Sequence, residues 1–556
     1  MKDTLRAIIH QAVQNAHKSS ALPSSDVSAI EIEHPKAKAH GDFATNIAMV
    51  SAATQKMAPR AIADAILSHL EDTDGIIEKT EVAGPGFINF FINKNAWLPV
   101  LQKIHEQGGR FGATDIGRGR RIQVEFVSAN PTGPLHVGHG RGAAVGDTVA
   151  NILSFCGWQV EREYYVNDAG NQILTLGRSV YLRMRQLSGD VMEFPGDCYQ
   201  GDYIQDIAGR IMDDPATSMD EMDDAAAIRF CAEYAANEIL VGIREDLANF
   251  GITFDNWFSE KSLFDTNAVD DALGLLKQKN HAYESEGALW FASATFGDEK
   301  DRVVVRNNGE TTYFASDIAY HKNKLDRGFD RIVDVWGADH HGYIPRVRAA
   351  ISAMEQDKDV LDIILVQLVN LLRHGKPAAM STRAGEFVTL RSVADEVGVD
   401  AARFIFLTRH YDSPLDFDLE LAKEKTNDNP VFYVQYVHAR IASILRKAAE
   451  EKGITEIAAD NKTLTVLLDA PEDIDLIKAL ARYPETVAMA AECMEPHRIT
   501  FYLMELAGAF HSYYNKHKVL VDDPVLTMAR LYLVCAVKKV IHNGLSLLGV
   551  SAPESM

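Results

Sequence analysis

Two histidines three residues apart carry the clearest chemistry in this 556-residue chain. They lie in Asn130-Pro131-Thr132-Gly133-Pro134-Leu135-His136-Val137-Gly138-His139-Gly140-Arg141-Gly142. This Pro/Gly-rich turn follows an alternating, strand-like stretch at 122–127 and opens an apolar helical pattern over about 138–155. Imidazoles at a helix N-terminus can donate hydrogen bonds to phosphate oxygens, with the helix dipole assisting. His136 and His139 could thus stabilise charge building on an α-phosphate as pyrophosphate departs, which is electrostatic rather than covalent catalysis. Gly138 would leave room for a base or ribose. The plain alternative is a Gly-rich turn capped by two histidines; the strand–turn–helix setting favours the phosphate reading.

Two further loops could complete such a site. Met380-Ser381-Thr382-Arg383-Ala384-Gly385 offers hydroxyls and a cation on a loop that could close over a triphosphate. Taken alone it reads at least as well as a solvated loop, and it gains weight only beside His136 and His139. Trp336-Gly337-Ala338-Asp339-His340-His341-Gly342 follows a strand, where doubly wound sheets bind ligands. There Asp339 would serve a ribose hydroxyl, and His340 a hydroxyl or phosphate. A metal held by His340 and His341 competes poorly, because loop neighbours rarely share one ion and no third ligand is evident. No protein-bound structural metal is expected.

The elements that must position these loops read as α/β. Strands at 122–127, 159–166, 331–335 and 363–372 alternate with helical stretches, implying a doubly wound (Rossmann-like) parallel-sheet catalytic domain over 111–420. An insertion fills about 170–300. Residues 1–110 read as an α/β N-terminal domain, with helices near 5–13 and 58–70 and a turn–strand at 82–92. Residues 421–556 read as an all-helical C-terminal domain, with stretches at 432–447, 474–489, 497–517 and 525–548.

Composition narrows the class. Hydrophobic residues make up 47% and charged ones 24%, ordinary for a packed protein. The net charge of −22 excludes a globally basic nucleic-acid coat protein, though not a local basic face. Residues 421–556 carry 15 Lys and Arg against 17 Asp and Glu, so the acidity sits upstream. Five cysteines, none closer than 33 residues to the next, argue against a disulfide framework or a cysteine zinc site. No apolar run would span a membrane, and a cytoplasmic location is expected.

Together the His136–His139 pair and the 380–383 loop resemble the two signatures of class I aminoacyl-tRNA synthetases. The surroundings are similar to bacterial-type arginyl-tRNA synthetases over nearly the whole chain. The similarity lies in Val124-Glu125-Phe126-Val127-Ser128-Ala129-Asn130, in Tyr165-Val166-Asn167-Asp168-Ala169-Gly170-Asn171-Gln172, and in the stretch from Asn429 to Arg440. It continues in the ending from Asn543 to Pro553 and in His40-Gly41-Asp42-Phe43-Ala44-Thr45-Asn46.

That resemblance implies an arginine–tRNA ligase. It would activate L-arginine with ATP and Mg²⁺ to arginyl-adenylate, with bound tRNA needed first, then esterify the 3′ end of tRNA(Arg). It implies that Glu125, Tyr313 and Asp317 bind the guanidinium, which suits carboxylates. Ser128, Asn130 and Gln367 would hold the α-amino and α-carboxylate ends. ATP would meet His136, Gly138, His139, Gly337, Asp339, His340, Met380 and Ser381, with Ser381 and Arg383 joining the histidines in catalysis. The second signature departs from the family: Ala379 and Thr382 stand where lysines are usual. Arg383, Lys376, Arg141, Arg120 and Arg121 are candidate replacements.

On the RNA side, the helical domain would read the anticodon through stacking and cations, with Tyr433, Tyr436, Lys516 and Lys518 as candidates. Tyr513, Tyr514 and Asn515 are further candidates, although most aromatics of 501–514 read as core. The N-terminal domain would touch the tRNA elbow, with Lys36 and Lys38 near phosphate. The resemblance implies a monomer. Rivals are another HxGH nucleotidyl transferase, a cysteinyl ligase and an inactive RNA-binding relative.

Overall fold

The computed structural model describes residues 1–27, 29–214, 219, 222–378, 388–458 and 462–556. Contacts divide the chain into two compact units. The larger comprises 109–446, 482–511 and 537–556; the smaller comprises 1–108, 447–481 and 512–536.

The larger unit is built on five parallel strands: β1 Arg121–Glu125, β2 Gln159–Val166, β3 Asn256–Ser259, β4 Arg331–Gly337 and β5 Leu361–Val366. Their order is β3-β2-β1-β4-β5, so the winding reverses between β1 and β4. A reversal of this kind opens a crevice at the carboxyl ends of the two central strands. Ile122, Val124 and Phe126 are buried where β1 runs into its turn. The helix α1, Val137–Phe155, follows and packs its apolar face on the sheet. Gly146 is the close-approach point: a Cβ there would lie 2.3 Å from the Phe126 ring.

The doubly wound expectation holds, with two corrections. The stretch read as one strand at 363–372 is two. β5 ends at Val366, and Val369–Arg373 starts a separate three-stranded sheet with Lys376–Pro377 and Leu415–Asp418. The break falls where the Gln367 N–H turns away to the Tyr411 carbonyl, 2.8 Å off. The stretch read as an insertion also returns a strand to the sheet, because β3 pairs with β2 from Glu163↔Asn256 to Val166↔Ser259. Four residues are too few for periodicity to reveal a strand.

The rest of that stretch holds the helices α2 Asn171–Leu187, α3 Asp202–Asp213 and α4 Asp224–Asn249, and a small antiparallel sheet over 282–305. The helix α5, Tyr313–Asp326, then leads into β4. A buried Arg403 ties α1 to distant backbone. It pairs with Asp147 and donates to the Leu548 and Phe250 carbonyls at 3.0 and 3.1 Å.

In the smaller unit, helix Lys2–Lys18 buries Leu5, Ile9, Ala12 and Val13. A three-stranded antiparallel sheet is formed by Phe43–Thr45, Phe87–Ile92 and Ile77–Ala83. The sequence showed only the second half of the hairpin, since Ile77–Ala83 buries no residue fully and lacks alternation. In the C-terminal region, the expected helix at 474–489 is two helices, Pro471–Ala481 and Tyr483–Cys493. Pro484, the second residue of the later helix, lacks the N–H that would continue the earlier one. Among the described residues no helix is long and apolar enough to cross a membrane.

Candidate active site

The two loops that flank the sheet reversal carry the nucleotide-binding candidates. After β1 the backbone turns sharply, with Val127 and Ser128 at φ +70° and +42°. Left-handed conformations cost a non-glycine residue free energy, most of all a β-branched one, and persist where surrounding contacts over-determine them. Here the Tyr165 N–H donates to Ser128 Oγ at 3.1 Å and the buried Tyr164 hydroxyl to the Ala129 carbonyl at 2.8 Å. Asp168 ties the 165–172 segment to β3, accepting from Ser259 Oγ at 2.5 Å and the Lys261 N–H at 2.9 Å.

His136 is the N-cap of α1. Its Nδ1 accepts from the Gly138 and His139 N–H groups at 3.1 and 3.4 Å, and His139 Nδ1 accepts from the His136 N–H at 3.3 Å. The histidines therefore cap the helix, and an accepting Nδ1 in a neutral ring leaves the proton on Nε2. Burial lowers both titrations, His139 to about 3 with His136 adding repulsion. Neutral rings retain Nε2–H groups, the donors that phosphate oxygens need, so capping and phosphate binding are chemically compatible. At Gly138 a Cβ would stand 2.9 Å from His136 Cε1, so the absence of a side chain there leaves the ring its place.

Met380, Ser381 and Arg383, with Ala379 and Thr382, lie outside the described residues. Their downstream flank does not. Val137 N–H donates to the Val388 carbonyl at 3.1 Å, Leu390 N–H to the Leu135 carbonyl at 2.8 Å, and Thr389 bridges to His136. The chain leaving the second motif is thus pinned to the first. Across the reversal, Gly337 closes β4, and a Cβ on it would lie 2.5 Å from Asp339 Oδ1. Asp339 and His340 are exposed on the following turn.

The arginine candidates converge on the reversal. Glu125 ends β1 opposite Asp334 of β4. Both bind the fully buried Lys324 Nζ, which lies 2.7 Å from Asp334 Oδ1; Ser128 Oγ donates to Glu125 Oε1 at 2.9 Å. Burial pushes Glu125 up, whereas Lys324 and His321 overcome burial to hold Asp334 at about 2. Asp317 lies one turn after the exposed Tyr313 on α5, accepts from the Tyr343 hydroxyl, and is raised by burial. Asn130 Nδ2 donates to Gln172 Oε1 at 2.6 Å, and Gln367 gives its carbonyl to Arg141 at 2.8 Å.

One acid escaped the sequence reading. Glu260, directly after β3, is 4% exposed and lines a cavity of about 430 Å³ with Tyr313, Ser316, Gly170 and Arg306. Burial lifts it to about 7, against hydrogen bonds from Ser316 and Tyr165 and with repulsion from Asp317 and Asp168. No local motif marks it, because its partners come from β2 and α5. Among the described residues neither Glu260 nor Asp317 makes an ion pair, so a cationic guest would relieve both. A second cleft, at Asp115, Ile116, Arg118 and Arg120, has one acid, and that acid is exposed.

Of the candidate phosphate cations, Arg141 is buried and donates to the Gln367, Ser413 and His410 carbonyls. Arg120 stacks on Trp158, 4.4 Å from the ring, and Arg121 donates to the Arg327 carbonyl at 2.6 Å. Lys376 is exposed on the short strand leading into the second motif, and Arg383 lies outside the described residues. One described trio, His410, Glu495 and His497, has metal-ligating atoms within 4.8 Å. Glu495 already pairs with Arg498, and His410 Nδ1 contacts Asp412 at 2.6 Å.

Among the RNA candidates, Tyr433 and Tyr436 pack on His511 with ring centroids 4.7 and 6.1 Å away, and Arg440 lies over Tyr436. In the smaller unit, Lys516 pairs with Glu472 at 2.7 Å and Lys38 with Asp475 at 2.8 Å, while Lys518 is exposed. Tyr513 is fully buried, as the core reading of that stretch required.

Comparison with known proteins gives three family matches. Residues 3–92 match the arginyl tRNA synthetase N-terminal domain, 101–190 and 236–413 the class I (R) tRNA synthetase catalytic domain, and 434–556 the DALR anticodon binding domain. An arginine–tRNA ligase of Desulfosudis oleivorans is 70% identical over 557 residues, covering 100% of both chains. One of Syntrophotalea carbinolica is 54% identical over 561 residues, again covering 100% of both. In fold, the Thermus thermophilus arginyl-tRNA synthetase superposes with a TM-score of 0.76 at 23% identity, covering 99% of this chain and 100% of that one.

Proposed function

Because the chain belongs to the arginyl-tRNA synthetase family and is an arginine–tRNA ligase, we propose that its chemistry is run by the residues gathered at the sheet reversal. Arginine enters with its guanidinium toward Asp317, Glu260 and the Tyr313 hydroxyl, and with its α-carboxylate toward the His136 turn. Ser128, Asn130 and Gln367 hold the α-amino and α-carboxylate ends. ATP comes with Mg²⁺ as its substrate complex. Its phosphates lie at the Nε2–H groups of His136 and His139, beside Gly138, and its ribose lies at Gly337, Asp339 and His340. Met380 and Ser381 serve ATP, and Ser381 and Arg383 join the histidines in catalysis.

The arginine carboxylate oxygen attacks the α-phosphorus in line, and the bond to the bridging oxygen breaks as pyrophosphate leaves. The histidine donors stabilise charge that grows in the transition state, without giving up a proton. A ribose hydroxyl at the tRNA 3′ end then attacks the arginyl carbonyl, and AMP departs. Tyr433, Tyr436, Lys516 and Lys518 contact tRNA(Arg), the last three within the anticodon-binding match. The enzyme works as a cytoplasmic monomer.

The observation that carries this reading is the pair of acids, the half-buried Asp317 and the buried Glu260, without an ion-pair partner among the described residues. It is tested by arginine-dependent ATP–pyrophosphate exchange, with and without tRNA(Arg). Exchange that needs arginine supports it. Exchange with another amino acid instead, or none with tRNA present, overturns it.

A further inference from the structure

Glu125 differs from Asp317 and Glu260 in one respect: the protein already supplies its cation. Lys324 is fully buried, its Nζ binds Glu125 Oε2 and Asp334 Oδ1, and it lies 4.4 Å from the Tyr320 ring centroid. The two carboxylates are register partners on β1 and β4, the strands between which the sheet reverses. On α5, Tyr313, Asp317, Tyr320 and Lys324 follow spacings of four, three and four residues, which set them on one stripe. The lower end of the stripe is thereby locked to the sheet, while its upper end faces the cavity. Through Glu125 the same link reaches Ser128, whose hydroxyl donates to Glu125 Oε1 at 2.9 Å.

We infer that Lys324 is a positioning residue for the arginine pocket, fixing the spacing between Asp317 on α5 and Glu125 and Ser128 at the end of β1. It does so without touching substrate. It also sets the charge count, because Asp334 is further bound by His321 at 3.0 Å and Glu163 by Arg327 at 2.8 Å. Among the described acids in this region, the buried Glu260 and the half-buried Asp317 are left without an ion pair. The inference rests on the proposed pocket.

The test compares Asp334→Asn, which keeps the Lys324–Glu125 link, with Lys324→Met/Asp334→Asn, which removes one charge of each sign and leaves Glu125 in place. Lys324→Met alone would strand two carboxylates, Glu125 and Asp334, whereas the double variant strands only Glu125; urea unfolding confirms that both test variants are folded under assay conditions. In tRNA-dependent exchange, Asp334→Asn keeps arginine KM within about threefold of the parent, whereas the double variant raises it roughly tenfold or more with ATP KM within about twofold. Equal arginine KM values in the two variants overturn the inference, as does a parallel rise of both KM values in the double variant. Asp317→Asn separates the two readings. If it raises arginine KM while the two variants agree, the pocket stands and Lys324 is only structural. If it leaves arginine KM unchanged, the pocket reading falls and takes the inference with it.

Discussion

His136 and His139 lie face to face, with ring centroids 3.6 Å apart and planes 18° from parallel. Each ring accepts a backbone N–H from the residue that bears the other. Two imidazoles in such contact cannot both be charged at low cost, so the pair works neutral and presents Nε2–H donors. Substituting His139 with alanine should lower the adenylation rate about 100-fold or more. It should cost only about 1 kcal/mol of stability, the usual worth of a lost cap. Single-turnover adenylate formation and urea unfolding measure the two effects.

Burial of His139, reinforced by its contact with His136, predicts a pH dependence of stability. His139 titrates near 3 when folded and near 6.5 in its unperturbed state. Between those values the unfolded chain binds more protons, so stability falls as pH falls. One such proton corresponds to about 1.4 kcal/mol per pH unit where it is fully bound. His139→Gln should therefore lose less stability than the parent between pH 6 and 5, read from urea midpoints. Parallel curves would contradict this.

On the proposed pocket, arginine binding should release a proton from Glu260. Burial raises both, Glu260 to about 7, and a guanidinium favours their charged forms. Arginine KM should accordingly fall as pH rises from 6 to 8, and calorimetry in buffers of different ionisation enthalpy should detect release. Glu260→Gln should raise arginine KM about tenfold and flatten that pH profile.

Arg403 closes a buried network around α1. It pairs with Asp147, which also lies 3.4 Å from Arg162 Nε, and its guanidinium packs against Gly549, where a Cβ would approach within 2.2 Å. Arg403→Met leaves Asp147 with a weaker partner and strips two carbonyls of their donor. The expected cost is about 3–5 kcal/mol. Lysine should not restore it, since one ammonium cannot reproduce the planar fork. The guanidinium chloride midpoint reports this.

Gly146→Ala should be damaging for a steric reason alone, because the added methyl meets Phe126 at 2.3 Å, directly after the strand that ends in Glu125. Overpacking of this kind costs about 1–3 kcal/mol. Displacement of α1 should also slow adenylation beyond what the stability loss explains, as measured at a temperature where the variant is fully folded.

What the sequence determined by itself was local. The turn from 130 to 142 is contiguous, so its histidines, glycines and flanking periodicities place it between a strand and a helix without tertiary information. Tyr313 and Asp317 were singled out only through the family resemblance, since a four-residue spacing on a helix is common by chance. What needed the folded chain was everything set by long-range pairing. β3 is four residues long and is a strand only because β2 lies beside it. Arg141 looked like a free cation but is buried on three carbonyls, because exposure depends on what packs against a residue. Glu260 carried no motif, and its raised titration arises from burial among segments 50 to 100 residues away in the chain. Burial and charge balance belong to the assembled core, and there the tertiary structure alone decided which acids await a guest and which are already paired.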